Sequence, residues 1–154
     1  MILGLDPALS CGWALLDEGG QRVASGAWDL TPRGRWEGGG MPLLRLRAAL
    51  LELLTAHPVR AIAYEEVRRH MSTDSAHSYG EIVGVVKLVG DGKRVPFTSI
   101  PVGTIKQRAT GKGNAGKPEM IAAALARWGV ACETDDEADA LWCAECLRVE
   151  LGAS

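Results

Sequence analysis

Four carboxylates stand out by where they fall. Asp6 ends the apolar run Met1-Ile2-Leu3-Gly4-Leu5, and Glu65 ends Ala61-Ile62-Ala63-Tyr64. Asp136 and Asp139 are three residues apart, a spacing that puts both on one face at the start of a helix. In an open α/β sheet the carboxyl ends of neighbouring strands line the usual ligand crevice, so acids that close two strands are placed to meet there. An aspartate in a first helical turn is otherwise an ordinary cap or dipole partner. That accounts for Asp135 or Asp136 taken singly, and for neither strand-end acid. Four carboxylates converging without basic partners repel one another unless hard divalent cations sit between them, and an oxygen-only set suits Mg²⁺ or Mn²⁺. Two such ions activate a water, clamp a phosphoryl oxygen and stabilise the leaving oxygen of an in-line displacement.

The basic residues complement this. Lys93, Arg94, Lys106, Arg108, Lys112 and Lys117 fall in a stretch with no acid, whereas Glu119 to Glu150 holds eight acids against Arg127 and Arg148. A charge run alone is usually a solvated face. A basic stretch followed by an acidic one fits a site that holds phosphates through one and cations through the other.

Two tempting motifs fail on context. Gly111-Lys112-Gly113-Asn114-Ala115-Gly116-Lys117-Pro118 matches G-x-G-x-x-G and nearly a P-loop. It lacks a preceding strand, and Pro118 stands where a hydroxyl would reach Mg²⁺. What survives is a basic loop whose amides and ammonium groups can approach a phosphodiester. Cys143-Ala144-Glu145-Cys146 is a lone C-x-x-C, and His57, His70 and His77 lie in unrelated segments, so buried thiols fit better than zinc. Trp13, Trp28, Trp128 and Trp142 fall in strand or helix patterns as core aromatics, whereas Trp36 lies in a Gly-rich loop.

The elements that must position these groups follow from periodicity and turn chemistry. Strands are expected at 1–6, 12–16, 22–28, 61–65 and 95–100, the second and third joined by a hairpin at Asp17-Glu18-Gly19-Gly20. Helices are expected at 42–54 with Pro42 in the first turn, at 72–89 stopping at Gly90-Asp91-Gly92, at 103–109, from Pro118 to about Trp128, and from Asp135 to about Val149. No repeat or linker interrupts them, so residues 1–154 are expected to form a single α/β domain. At 154 residues, with 47% hydrophobic and 23% charged, the chain suits one globular core and excludes disordered and collagenous classes. The apolar runs are too short for a bilayer and no export signal is visible, so the four cysteines are expected as thiols in the cytoplasm.

Taken together, these residues resemble the RuvC-type Holliday-junction resolvases, which have the ribonuclease-H-like fold. Ile2-Leu3-Gly4-Leu5-Asp6-Pro7 with Gly12-Trp13 is similar to the family's opening strand and turn, and Ala63-Tyr64-Glu65-Glu66-Val67 to its second acidic strand end. Val102 to Lys117 is similar to its DNA-contacting segment, and Asp136-Glu137-Ala138-Asp139-Ala140-Leu141 to its final acidic helix. The resemblance implies a central five-stranded mixed sheet flanked by helices. It further implies that Asp6, Glu65, Asp136 and Asp139 bind two Mg²⁺ ions, with Mn²⁺ able to substitute, and that Lys106 and Lys117 contact the backbone near the scissile phosphate, Lys117 among the catalytic residues. Lys112, Arg108 and Arg68 join the expected DNA contacts. It selects Glu65 over Glu66, which periodicity leaves open in a strand covered on both faces. It also implies a homodimer, with the helix from Ser72 contributing to the interface, that nicks opposed strands of a four-way junction and leaves ligatable 5′-phosphate ends.

Three positions depart from the family pattern. Ala8 replaces a common Gly, Cys11 a common Thr, and Arg68 an aromatic that stacks at the crossover, which argues against sequence-selective cutting of the usual kind. The Gly-Asn-Ala-Gly-Lys loop is similar to that of phage-encoded relatives. A broader debranching nuclease, a catalytically weak junction-binding protein and a nucleotide-binding ATPase on the same fold are the alternatives.

Overall fold

The N-terminal apolar run forms β1 (Ile2–Asp6) in a computed structural model that describes residues 1–152; residues 153 and 154 of the expected domain lie outside the described residues. β1 lies between antiparallel β2 (Ser10–Leu16) and parallel β4 (Ala61–Glu66). β3 (Arg22–Asp29) runs antiparallel beyond β2, and β5 (Phe97–Pro101) parallel beyond β4, giving the order β3-β2-β1-β4-β5. The expected five-stranded mixed sheet is therefore observed. The β2–β3 turn is closed by the Asp17 carboxylate, which accepts the Gln21 N–H at 2.8 Å, and by Gly20 at φ +80°, a backbone conformation few other residues tolerate.

Among the described residues five helices cover the sheet: α1 (Met41–Ala56), α2 (Thr73–Lys93), α3 (Val102–Thr110), α4 (Lys117–Trp128) and α5 (Asp135–Gly152). Ser72 caps α2 by accepting the Ser75 N–H at 3.1 Å, as an N-cap serine should. α1 and α2 bury Leu46, Leu50, Ile82 and Val86 against Leu3, Leu5, Leu15, Ile62 and Tyr64. On the opposite face α5 lies over β1, β2 and β4, with α3 and α4 packed beside it.

The two faces differ in side-chain size. Toward α5 the strands present Gly4, Gly12, Ala14, Ala61 and Ala63, with the larger Ile2 and Leu16 at the end of the sheet away from Asp6, and the helix answers with Ala138, Ala140 and Ala144. Backbones approach closely there: a Cβ on Gly4 would fall 2.1 Å from the Ala140 carbonyl, and one on Gly12 only 1.9 Å from that of Asp136. Gly12→Ala is therefore expected to push the first turn of α5 off the sheet and cost about 3 kcal/mol, the upper part of the overpacking range. Chemical denaturation checks this; a variant with wild-type stability would mean that α5 can shift without loss.

Some boundaries differ from expectation. α2 does not stop at Gly90-Asp91-Gly92 but runs on to Lys93 and ends at Arg94, in the left-handed region at φ 57°. Gly90 is needed for packing: a Cβ there would meet Cδ1 of Phe97 on β5 at 2.6 Å. β5 accordingly begins at Phe97, since Val95 is taken up by the helix exit, its N–H bonding the Gly90 carbonyl at 2.9 Å. Elsewhere β1 begins one residue later than expected, at Ile2, and other elements extend the expected ones, by two residues at the start of β2 and three at the end of α5.

Candidate active site

Alternation along the strands decides which acids face inward. In β4, Ile62 and Tyr64 point toward α1 and α2, so Ala61, Ala63 and Glu65 share the α5 face; in β1 the same parity gives Ile2, Gly4 and Asp6. The strands are parallel and in register from Ile2 opposite Ala61 to Leu5 opposite Tyr64, so Asp6 and Glu65 emerge side by side. Pro7 ends β1 directly after Asp6, and Tyr79 of α2 braces the end of β4 by donating its hydroxyl to the Glu65 carbonyl at 2.9 Å.

Asp139 reaches the pair from α5. One carboxylate oxygen from each of Asp6, Glu65 and Asp139 lies within 4.8 Å of the other two. None of the three takes part in an ion pair among the described residues. Burial, then the charges of Glu65, Asp139 and Asp136, raise the Asp6 carboxyl well above its ordinary range. Burial likewise lifts Glu65 to about 7, against the pull of Lys106, and burial with repulsion from Glu65 lifts Asp139 to about 8. Oδ1 of Asp139 is buried with no hydrogen-bond partner. An orphaned acceptor on one of three clustered carboxylates, each disfavoured as a bare anion, fits a hard divalent cation, and oxygen-only ligands at these positions do not make a soft-metal set.

The fourth expected acid lies at the rim. Asp136 does not belong to the three-way cluster; its Oδ2 accepts the Ser10 hydroxyl at 2.8 Å while its backbone carbonyl packs over Gly12. Ser10 was not legible as part of the site, because only the sheet register brings β2 beneath the start of α5.

The expected basic residues follow β4 and β5 in the chain. α3 begins where β5 ends, which brings Lys106 near enough to Glu65 and Asp139 to counter their raised values. Arg108 is exposed on the same helix, beside an open cleft shared with Gly103, Thr104 and Gln107. Lys112 is exposed in the following loop, which leaves a helix rather than a strand, so the Gly-rich segment is no P-loop. Lys117, the first residue of α4, pairs with Asp135 at 3.1 Å, and this bond raises its ammonium above the ordinary lysine value. Arg68, in the loop after β4, pairs with Glu66 at 3.4 Å and remains exposed. An open cleft of about 400 Å³ adjoins Asp6, lined also by Leu9, Val67, His70 and Tyr79.

The four cysteines are buried thiols, Cys143 and Cys146 one turn apart within α5. No helix among the described residues is long and apolar enough to cross a membrane.

A family model described as crossover junction endodeoxyribonuclease RuvC matches residues 2–147. The crossover junction endodeoxyribonuclease RuvC of Anaeromyxobacter sp. (strain K) is 32% identical, over 95% of this chain and 79% of its own. That of Rubrobacter xylanophilus is 34% identical, over 95% and 83%. Among solved structures, T. thermophilus RuvC in complex with Holliday junction substrate superposes with a TM-score of 0.82 at 22% identity, covering 98% of this chain and 95% of that one. A yeast mitochondrial Holliday junction resolvase superposes with a TM-score of 0.60 at 16% identity, covering 99% and 80%. The likeness in structure extends the ribonuclease-H-like fold over nearly the whole chain.

Proposed function

The chain belongs to the RuvC family of crossover junction endodeoxyribonucleases, and from that membership we propose that it resolves four-way DNA junctions by paired symmetric nicks, using Mg²⁺-dependent phosphodiester hydrolysis. The observation that carries this reading is the convergence of Asp6, Glu65 and Asp139 oxygens within 4.8 Å beside a basic flank. These three acids hold the metal, and Asp136, oriented by Ser10, completes a set for two ions from the rim. Mn²⁺ substitutes. The chemistry that ions held there would supply is activation of a water and neutralisation of charge developing on the phosphate.

The chain's own residues do the rest. Lys106 and Lys117 approach the backbone at the scissile phosphate, and Lys112, Arg108 and Arg68 hold neighbouring phosphates. Lys117 exchanges its Asp135 partner for phosphate as DNA arrives. The strand-borne acids stay fixed, because β1 and β4 are central strands. Residues 1–154 act as one nuclease domain in the cytoplasm, and two copies meeting through α2 match the two-fold symmetry of the junction.

The direct test is an end-labelled four-way junction and a matched linear duplex, incubated in Mg²⁺ and in EDTA and resolved on a denaturing gel. Paired nicks confined to the junction and lost in EDTA are expected. Cutting of many branched forms would instead indicate a debranching nuclease, and binding without cutting in either metal a junction-binding protein.

Each phosphate contact releases counterions, so Lys106→Ala and Lys117→Ala are each expected to weaken junction affinity severalfold and flatten its log-log salt dependence by about one. Fluorescence anisotropy across a salt series measures this. An unchanged slope in both variants would remove these lysines from the interface.

A further inference from the structure

Trp36 is 90% exposed, whereas the other four tryptophans pack in pairs: Trp13 stacks on Trp28 with centroids 5.4 Å apart, and Trp128 meets Trp142 edge to face at 4.7 Å. The loop carrying Trp36 is braced. Glu37, next in sequence, forms an ion pair with Arg45 of α1, the two side chains only 13% and 19% exposed, and also accepts the Arg33 N–H. Arg45 in turn donates to the Thr31 carbonyl at 3.0 Å, and the Glu37 N–H to the Gly34 carbonyl at 3.1 Å. Withdrawing an ion pair from water costs free energy, and here it fixes a loop that turns a large aromatic outward. The Arg35 guanidinium lies 5.4 Å from the Trp36 ring centre, Arg33 is exposed nearby, and Glu37 is the only acid between Thr31 and Gly40. An aromatic platform flanked by cations is the surface chemistry that holds an unstacked base and its phosphates.

Its place in the fold gives this a use. β3 ends at Asp29, in register with the Ser10 that holds Asp136, and the next N–H, of Leu30, bonds the Leu9 carbonyl at 2.7 Å. The loop therefore leaves the sheet at the end that bears Asp6 and Glu65, two strands from β1 or about 10 Å to the side. Lys106, on the helix that directly follows β5, lies on the other flank, close to Glu65 and Asp139. Along this end of the sheet the acids of β1 and β4 thus fall between the β3–α1 loop, which carries the exposed ring, and Lys106 after β5.

We propose that Trp36, flanked by Arg33 and Arg35, stacks on an unpaired nucleobase of the branched DNA, so that the β3–α1 loop distinguishes a branch point from continuous duplex. The proposal rests on the junction-cleaving function above. A duplex keeps its base faces within the stack, and a branch point opens them, so the ring gains its contact only on branched DNA.

The test is junction and linear-duplex affinity, measured in EDTA for the wild-type chain and for Trp36→Ala, Trp36→Tyr, Trp36→Leu and Arg35→Gln, with unfolding temperatures recorded to establish folding. Trp36→Ala should lose about tenfold in junction affinity and far less on duplex. Tyrosine should restore most of the loss and leucine should not, because a π face rather than bulk is required. Arg35→Gln should flatten the salt slope by about one, whereas Trp36→Ala should leave the slope alone. A wild-type chain that does not prefer the junction over duplex overturns both the functional reading and this one. A discriminating wild type matched by Trp36→Ala overturns the stacking assignment alone. Restoration by leucine does so too, as does a Trp36→Ala variant that dissociates to monomer at full junction affinity.

Discussion

Asp6→Asn is expected to lower the rate of junction cleavage in Mg²⁺ by about a thousandfold or more while the variant still binds the junction. Asp6 is the strand-borne acid nearest the centre of the sheet, and its oxygens share a 4.8 Å cluster with Glu65 and Asp139. An amide keeps the shape but removes a charge that a hard divalent ion requires, and each tenfold in rate is about 1.4 kcal/mol of transition-state stabilisation. Losing a metal ligand removes several kcal/mol of it. Glu65→Gln and Asp139→Asn should behave alike. Asp136→Asn should lose less, since an amide oxygen there can still accept the Ser10 hydroxyl and the position lies outside the cluster. Affinity in EDTA should be kept or slightly raised, because each change takes a negative charge from the path of a phosphate. Single-turnover cleavage of an end-labelled junction measures the loss, and wild-type rates for Asp6→Asn would sink the assignment.

The second large effect is on stability. The folded-state values of Asp6, Glu65 and Asp139 are raised, the last two to about 7 and about 8, so the folded chain binds their protons more tightly than the unfolded chain does. That contribution is full below the unfolded carboxylate values near 4 and is lost as pH rises through the folded ones. In EDTA, stability should therefore fall between pH 5 and pH 8.5, on the order of 4 kcal/mol for the coupled set, or about 10 °C in Tm for a chain of this size. Divalent cations bind the ionised form, so Mg²⁺ should recover most of the loss at pH 8 and little at pH 5. Asp139→Asn should flatten the profile and melt higher than the metal-free parent at pH 8. Thermal unfolding across this pH range, with and without Mg²⁺, decides it; a level metal-free profile would mean that the three acids are not held together as anions.

Much of this was legible in the sequence because its signals are local. Asp6-Pro7 marks a strand stopping at a carboxylate, and Gly12-Trp13 opens the strand beside it. The choice of Glu65 over Glu66 came from the family resemblance, yet a physical signal was present. On the face shared with Asp6 and Glu65 the strand residues nearest the acids are Gly4 and Ala63, with Ile2 only at the far end of β1, whereas their neighbours on the other face are leucine, isoleucine and tyrosine. Reading size alternation instead of hydrophobic alternation would have picked the inward face. What stayed illegible depends on contacts across the sheet. Gly90 looked like a helix stop because its other role, making room for Phe97, lies in a strand that the helix precedes. Asp136 and Asp139 shared a predicted face, and only the approach of α5 to Gly12 separates a rim acid from a central one. The pairing of Lys117 with Asp135 likewise depends on how α4 meets α5, which neither charge run specifies.

The close seating of α5 on Gly4 and Gly12 has a further consequence. A helix advances about 1.5 Å and turns 100° per residue, so a slip of one residue would swing Asp139 away from Asp6 and Glu65. Side chains that interdigitate loosely permit such slips; a carbonyl seated in the notch of a missing Cβ does not. The glycines therefore index α5 like teeth on a rack, and the spacing of the three acids is inherited from backbone contact, with no hydrogen bond needed to set it.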